Sequence, residues 1–309
     1  MDIKSTREGF GKALVELGEK NKNVVALCAD LEESMHVADF HKKFSERFVE
    51  VGVAEQNMIG VAAGLALSGK IPFAASFAVF SPGRTWDQIR VSVAYSQANV
   101  KIVGGHSGIT VGADGASHQA LEDIGIMRVL PNMIVIVPCD YIEAQKATFA
   151  AALHKGPVYL RLGREKVPII TDIKSKFNIG KAEIFKEGKD ITIIACGIMV
   201  NEALEAAKEL EKEEISAEVI NCHTIKPLDK KTIVASAKKT GKVITAEEHQ
   251  INCGLGSAIA ELLSEEHPVP IRMIGVKDTF GESGKPEELK KKYGLSSDFL
   301  IKTAKEFKK

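Results

Sequence analysis

Residues 48–80 read FVEVGVAEQNMIGVAAGLALSGKIPFAASFAVF. The apolar run over 48–53 stops just before Glu55 and reads as a strand. From Glu55 the spacing turns helical, continues to about Ser68 and is stopped by Gly69. A second β-rich run covers 72–80. Strand, helix and strand in this order form the unit of a parallel sheet, because a parallel neighbour is reached only through a long crossover.

The alternation continues outward from this unit. Upstream, Ser5-Thr6-Arg7-Glu8 reads as a capping box, followed by Phe10, Ala13, Leu14 and Leu17 at helical spacing. An apolar run over 23–29 ends at Asp30. Downstream, strands are expected over 100–104, 133–137 and 157–162, with helices over 85–96, 120–129 and 142–153. The composition breaks at Thr171-Asp172-Ile173-Lys174-Ser175-Lys176, which reads as a linker. A second series follows, with strands over 191–196, 217–221, 243–246 and 269–274 and helices over 200–212, 228–237 and 255–263. The tail 286–309 reads as one or two helices. The expectation is an α/β fold of two doubly wound domains, 1–172 and 173–309, and the length of 309 residues suits two domains of about 150. Ligands of such sheets bind beyond the carboxyl ends of the strands, which places Asp30, Glu55, Phe77, Phe80, His106 and Arg164 at or near one rim.

Composition narrows the function classes. Lys+Arg and Asp+Glu both number 41, so nothing in the balance points to nucleic acid or a membrane surface. The five cysteines are dispersed without a C-x-x-C pair, which argues against a disulfide framework or a zinc site and for a reducing cytosol. The start MDIKSTREGF is polar and resembles neither a signal nor a transit peptide, so a cytoplasmic location is expected, and Met1 ahead of a well-capped first helix leads one to expect a natural subunit. No apolar run approaches the roughly 18 residues that span a bilayer.

Several residues could carry chemistry. Glu55 by itself reads as a first-turn carboxylate favoured by the helix dipole. Phe73, Phe77 and Phe80 read as core. The segment from Gly104-Gly105-His106-Ser107-Gly108 through Gly112-Ala113-Asp114-Gly115-Ala116-Ser117-His118-Gln119 is a long polar loop, a type that usually carries function. It lacks the Gly-Lys-Ser/Thr of a P-loop, and His106, Asp114 and His118 fall short of a defined metal set. Arg7, Arg161 and Arg164 are singly most simply surface charges. Arg7 in the first turn of a helix opposes the dipole, and a bound anion there would resolve that conflict. Cys253-Gly254-Leu255-Gly256 reads as a tight turn into a helix.

Taken together these segments resemble transketolase, over nearly the whole chain. The resemblance lies in Ser5-Thr6-Arg7-Glu8-Gly9, Ala29-Asp30-Leu31 with Ser34, Gly52-Val53-Ala54-Glu55-Gln56 and Ser76-Phe77-Ala78-Val79-Phe80. It continues in Arg84-Thr85-Trp86-Asp87-Gln88-Ile89-Arg90, Gly105-His106-Ser107-Gly108, the run Asp114 to Asp123, and Leu162-Gly163-Arg164. Thr224-Ile225-Lys226-Pro227-Leu228-Asp229 and Ser283-Gly284-Lys285-Pro286-Glu287-Glu288-Leu289 carry it through the second domain.

The resemblance implies a parallel-sheet domain that binds the pyrimidine of thiamine diphosphate, then a smaller mixed-sheet C-terminal domain. Glu55 matches the glutamate that hydrogen-bonds N1′ of the aminopyrimidine and drives its tautomer. Phe77 and Phe80 match the aromatic pocket of that ring, and Asp30 a residue near the thiazolium. His106, Asp114 and His118 match sugar-facing positions, and Arg7, Ser34 and Arg164 the sugar-phosphate site. The implied reaction moves a glycolaldehyde unit from a ketose phosphate to an aldose phosphate through a dihydroxyethyl intermediate. No Gly-Asp-Gly occurs in the chain, so the diphosphate and its Mg²⁺ (or Ca²⁺) are implied to be held mainly by a separate N-terminal subunit, in an α2β2 assembly. Gly60 and Gly64 suit either close helix approach at that interface or core packing. Ala54 stands where many relatives have arginine, and the same Gly-x-Ala-Glu-Gln form occurs in deoxyxylulose-phosphate synthases, so Glu55 alone does not choose the reaction. The rival readings are the β subunit of a 2-oxoacid dehydrogenase, a transketolase for an unusual sugar phosphate, and a non-catalytic binding homologue.

Overall fold

The computed structural model describes residues 2–308; Met1 and Lys309, the outer ends of the two expected domains, lie outside the described residues. The first series of strands is β1 (Ile3–Ser5), β2 (Val24–Cys28), β3 (Phe48–Glu50), β4 (Ile71–Phe77), β5 (Lys101–Ser107), β6 (Ile134–Ile136), β7 (Val158–Gly163) and β8 (Lys166–Pro168). The second is β9 (Glu183–Lys186), β10 (Ile191–Ala195), β11 (Ala217–Asn221), β12 (Thr224–Lys226), β13 (Val243–Gln250) and β14 (Ile271–Val276). A seven-stranded sheet runs β12-β6-β7-β5-β4-β2-β3, parallel throughout except for β12 against β6. A five-stranded sheet runs β14-β13-β10-β11-β9, parallel except for β9. Two α/β units, the second with the smaller, mixed sheet, are what the sequence leads one to expect. Every residue of β2 and β10 is buried, as strands covered on both faces must be.

Local signals act where they were read. Ser5 Oγ accepts from Glu8 N at 3.2 Å and Glu8 Oε2 from Ser5 N at 2.7 Å, so the capping box forms. The helix Glu55–Leu67 is ended by Gly69 in the left-handed region (φ +87).

Other expectations need correction. The strand expected over 48–53 stops at Glu50, because the chain turns at Gly52. The strand expected over 72–80 ends at Phe77. Ala78 N makes a last hydrogen bond to Gly105 O, then Phe80 N bonds back to Phe77 O in a turn ahead of Pro82. Phe80 is therefore a turn residue. The helix over 85–96 is one α turn, Trp86–Gln88, followed by a π-helix, Ile89–Tyr95. The helix over 120–129 shortens to Asp123–Arg128, since Ala120 bridges to Ser107. Arg161 is no surface charge: it points into the seam between the sheets and is 4% exposed. Gly60 and Gly64 are exposed, and a Cβ on either would meet nothing within 4 Å among the described residues, so core packing does not explain them. No helix among the described residues is long and apolar enough to cross a membrane.

Candidate functional site

The strand order sets which loops meet. β3, β2, β4, β5 and β7 lie side by side and parallel, so their carboxyl ends form one rim. Glu55 follows β3, Asp30 follows β2, Phe77 ends β4, His106 lies in β5 just before its end, and Arg164 follows β7.

An aromatic cluster stands at the centre of this rim. The rings of Phe77 and Phe80 are nearly parallel, with centroids 5.9 Å apart, and His106 stacks on Phe77 at 3.6 Å. His118 meets both phenylalanines edge-on, at 6.3 and 5.5 Å. Edge-to-face and offset geometries are the favoured ones for such rings. His118 comes from the loop after β5, and its Nδ1 lies 2.9 Å from Ser117 Oγ.

A basic group borders the cluster. Arg7 Nη1 donates to the Ser34 carbonyl and lies 3.4 Å from His106 Nε2, and Nη2 donates to the Arg164 carbonyl at 3.1 Å. Gly105 makes room for it, since a Cβ there would lie 2.5 Å from Met35 Sδ and 3.4 Å from Arg7 Cδ. Arg7 Nε is buried without a partner among the described residues. Burial and then the Arg164 charge pull the Arg7 guanidinium down to about 10. A half-buried cation with an unmet donor and a second cation beside it is a site that an anion would stabilise. Arg164 also donates to the Val111 carbonyl at 2.5 Å and pairs with Asp114 Oδ2 at 3.1 Å.

Glu55 is 2% exposed and opens the helix Glu55–Leu67. Its Oε2 accepts from Arg84 Nη1 at 2.7 Å, and the Arg84 guanidinium lies 4.9 Å from the Phe80 ring centroid. A planar nitrogen donor thus spans the carboxylate and an aromatic face. A protonated aminopyrimidine is a planar nitrogen donor of the same kind, so the residues fit the pyrimidine end of thiamine diphosphate.

His106 is buried, and its ring is pulled down to about 3, first by burial and then by the charges of Arg7 and Arg164. It therefore stays neutral at working pH and acts as a hydrogen-bonding ring. The unfolded chain takes up this proton below about 6.5 while the folded one does not, so its stabilising contribution is lost as pH falls from there towards 3. In an NMR titration the His106 ring resonances should hold constant from about pH 8 to 5; a midpoint inside that window would refute a neutral buried ring.

Of the residues singled out in the sequence, the rim gathers Phe77, Phe80, His106 and His118, with Arg7, Arg164 and Asp114 beside them and Glu55 linked through Arg84. Ser34 contributes its backbone carbonyl, and among the described residues its hydroxyl makes no hydrogen bond to the group. Asp30 stands apart, exposed, with its backbone N–H on Glu50 Oε1 at 2.8 Å. Sequence reading gave no role to Arg84, His36 or Glu248. His36 lies near Arg7, and burial followed by the Arg7 charge lowers its pKa. The Arg84–Glu55 pair spans 29 positions, and no local pattern announces such a partner.

The family profile described as the transketolase pyrimidine binding domain matches residues 3–169, and that of the transketolase C-terminal domain matches residues 180–299. A putative transketolase C-terminal section of Methanocaldococcus jannaschii is 49% identical over 302 residues, covering 97% of this chain and 95% of that protein. A 6-deoxy-6-sulfo-D-fructose transketolase subunit of Clostridium sp. (strain MSTE9) is 47% identical over 300 residues, covering 97% and 93%. A solved structure described as a split-gene transketolase, inactive beta4 tetramer, superposes with a TM-score of 0.92 at 51% identity, covering 98% of this chain and 97% of that one.

Proposed function

The chain belongs to the transketolase family, as a subunit with that family's pyrimidine-binding and C-terminal domains, and from this membership we propose that it moves a two-carbon ketol unit from a ketose phosphate to an aldose phosphate. The observation that carries the reading is the meeting, at one rim, of the Phe77–Phe80–His106–His118 cluster with the partly unsatisfied Arg7 and its neighbour Arg164.

Thiamine diphosphate, on which the family depends, supplies when bound the carbanion chemistry that side chains lack. The chain's own residues do the rest. Glu55 would exchange Arg84 for N1′ of the pyrimidine and hold or yield a proton there. Phe77 and Phe80 would offer it aromatic faces, and Asp30, at the same rim but outside the cluster, would stand on the thiazolium side. Arg7, Ser34 and Arg164 receive the charged end of the sugar. Asp114 faces the hydroxyls near the bond that breaks, and His118 and the neutral ring of His106 hydrogen-bond along the same sugar. The Asp114–Arg164 pair, 42% exposed on each side, contributes at most about 1 kcal/mol and yields readily to substrate.

A second polypeptide, the N-terminal subunit, holds the diphosphate and Mg²⁺ (or Ca²⁺), and two such pairs associate as α2β2 in the cytoplasm. Relatives described as a C-terminal section and a split-gene chain support that division. Within the chain the domains divide at 172/173. Phosphorylated pentoses are the default substrates; a relative described by a sulfo-sugar favours, as a second reading, another sugar with an anionic end. A 2-oxoacid dehydrogenase role has no use for Arg7 and Arg164 at the far end of the site.

The test is ketol transfer from xylulose 5-phosphate to ribose 5-phosphate, with thiamine diphosphate and Mg²⁺, using this chain alone and with its partner subunit. Transfer should appear only in the pair. Transfer by this chain alone would overturn the division of the site, and turnover of pyruvate in place of ketose phosphates would replace the reaction.

A further inference from the structure

The loop that carries Asp114 and His118 rests on the second domain. Glu248, on β13, is 4% exposed and sends its carboxylate across the seam, where Oε1 accepts the backbone N–H of fully buried Thr110 at 2.6 Å. The carboxylate lies against the Cα of Gly108: a Cβ there would fall 2.2 Å from the carboxyl carbon and 2.4 Å from both oxygens. Gly108 also takes φ +85, so both space and backbone require glycine. The rest of the loop is floored from the same side. Gln119 Nε2 donates to the Ile109 carbonyl at 2.9 Å and to the Glu282 carbonyl at 3.0 Å. Gly112 faces the Gly284 carbonyl and the Pro286 ring. Arg161 anchors β13 in turn, donating from Nη2 to the Glu248 carbonyl at 2.9 Å.

We propose that Glu248 is a positioning residue of ketol transfer, fixing from the second domain the loop that presents Asp114 and His118 to the sugar. The inference rests on the proposed reading of those two residues as sugar-facing. A buried backbone N–H must have an acceptor, and a carboxylate is the strongest one within reach. Arg161 nearby and the Thr110 N–H favour the ionised form against the burial that raises its pKa. Without Glu248, Thr110 N is orphaned in the seam and the loop loses the contact that sets its entry. The pyrimidine end would be held by Glu55, Phe77 and Phe80 on other elements, which the loop meets only through the edge of His118, so the sugar should respond more strongly than the cofactor.

The experiment compares Glu248→Ala and Glu248→Gln in the two-subunit enzyme. Glu248→Ala should raise KM for xylulose 5-phosphate about tenfold and lower kcat/KM by roughly ten- to a hundredfold, as displacement of reacting groups does. Thiamine diphosphate affinity should stay within about twofold. Glu248→Gln, whose amide oxygen still accepts the Thr110 N–H, should restore most of the loss. In the chain by itself, amides over 108–119 should exchange roughly tenfold faster in Glu248→Ala, the scale of one lost hydrogen bond to a charged group. Should Glu248→Ala fail to assemble, Glu248→Asp, one methylene short of Thr110, is read the same way. Unchanged sugar KM, cofactor affinity falling in step with it, or no rescue by glutamine would each overturn the role. A wild-type pair without ketol transfer, with exchange still quickened in the variant, would overturn the reaction while leaving the contact between the domains.

Discussion

Glu55→Gln in the two-subunit enzyme should lower ketol transfer by about 10²- to 10⁴-fold, the range of a positioned general acid–base group, while the midpoint of thermal unfolding hardly moves. The amide keeps the shape of the carboxyl and one acceptor for Arg84. What it cannot do is exchange a proton with the pyrimidine. The stability side is small because Arg84 is 49% exposed, so water replaces part of what the pair provided, and pairs of this kind contribute at most about 1 kcal/mol. Melting curves and steady-state transfer on the same preparation separate the two effects. Near-normal turnover would remove Glu55 from the mechanism, and a large loss of stability would make it a structural ion pair instead.

The largest stability effect should come from Asp123→Ala. Arg161 Nε donates to Asp123 Oδ2 at 2.7 Å and Nη2 to Oδ1 at 3.2 Å, and Tyr159 Oη adds a third bond at 2.7 Å. Arg161 is 4% and Asp123 2% exposed. Burial alone would raise the Asp123 carboxyl, but Arg161 outweighs it and holds the group below the usual carboxylate range. Removing the carboxylate leaves the guanidinium in the seam with the Ala120 and Glu248 carbonyls, at 3.3 and 2.9 Å, as its acceptors among the described residues. Breaking one half of a buried pair costs about 3–5 kcal/mol, a large part of the roughly 5–15 kcal/mol that holds a protein folded. Chemical unfolding of Asp123→Ala against wild type measures this. The double variant Asp123→Leu, Arg161→Met should lose less than Asp123→Ala, since no charge is then stranded. A change below about 1 kcal/mol in Asp123→Ala would show that the seam is wetter than the structure implies.

Much of the fold was legible because its signals are local. Ser5 and Glu8 lie three positions apart, and a capping box needs nothing further away. The helix Glu55–Leu67 begins where apolar spacing changes period and stops where Gly69 takes a positive φ. The rim of the first sheet follows in the same way, because strands that end before Asp30, Glu55 and Arg164 bring those residues to one side once the sheet is parallel. The short strands β1, β8, β9 and β12 left no comparable mark: at three or four residues they lack a period, and β12 is a strand only because the edge of the first sheet accepts it.

The sequence by itself determined the alternation of strands and helices, the two α/β units, and which residues follow the strands of the first sheet, since period, caps and turns depend on residues a few positions apart; the strand order then decided which of them meet. Tertiary structure alone decided the electrostatic states. Arg161 became a buried ion in place of a surface charge because Asp123, 38 positions away, meets it in the seam. Glu55 found Arg84 across 29 positions, and Thr110 found Glu248 across 138. Whether a charge is paired, desolvated or free depends on neighbours that only the packed chain supplies.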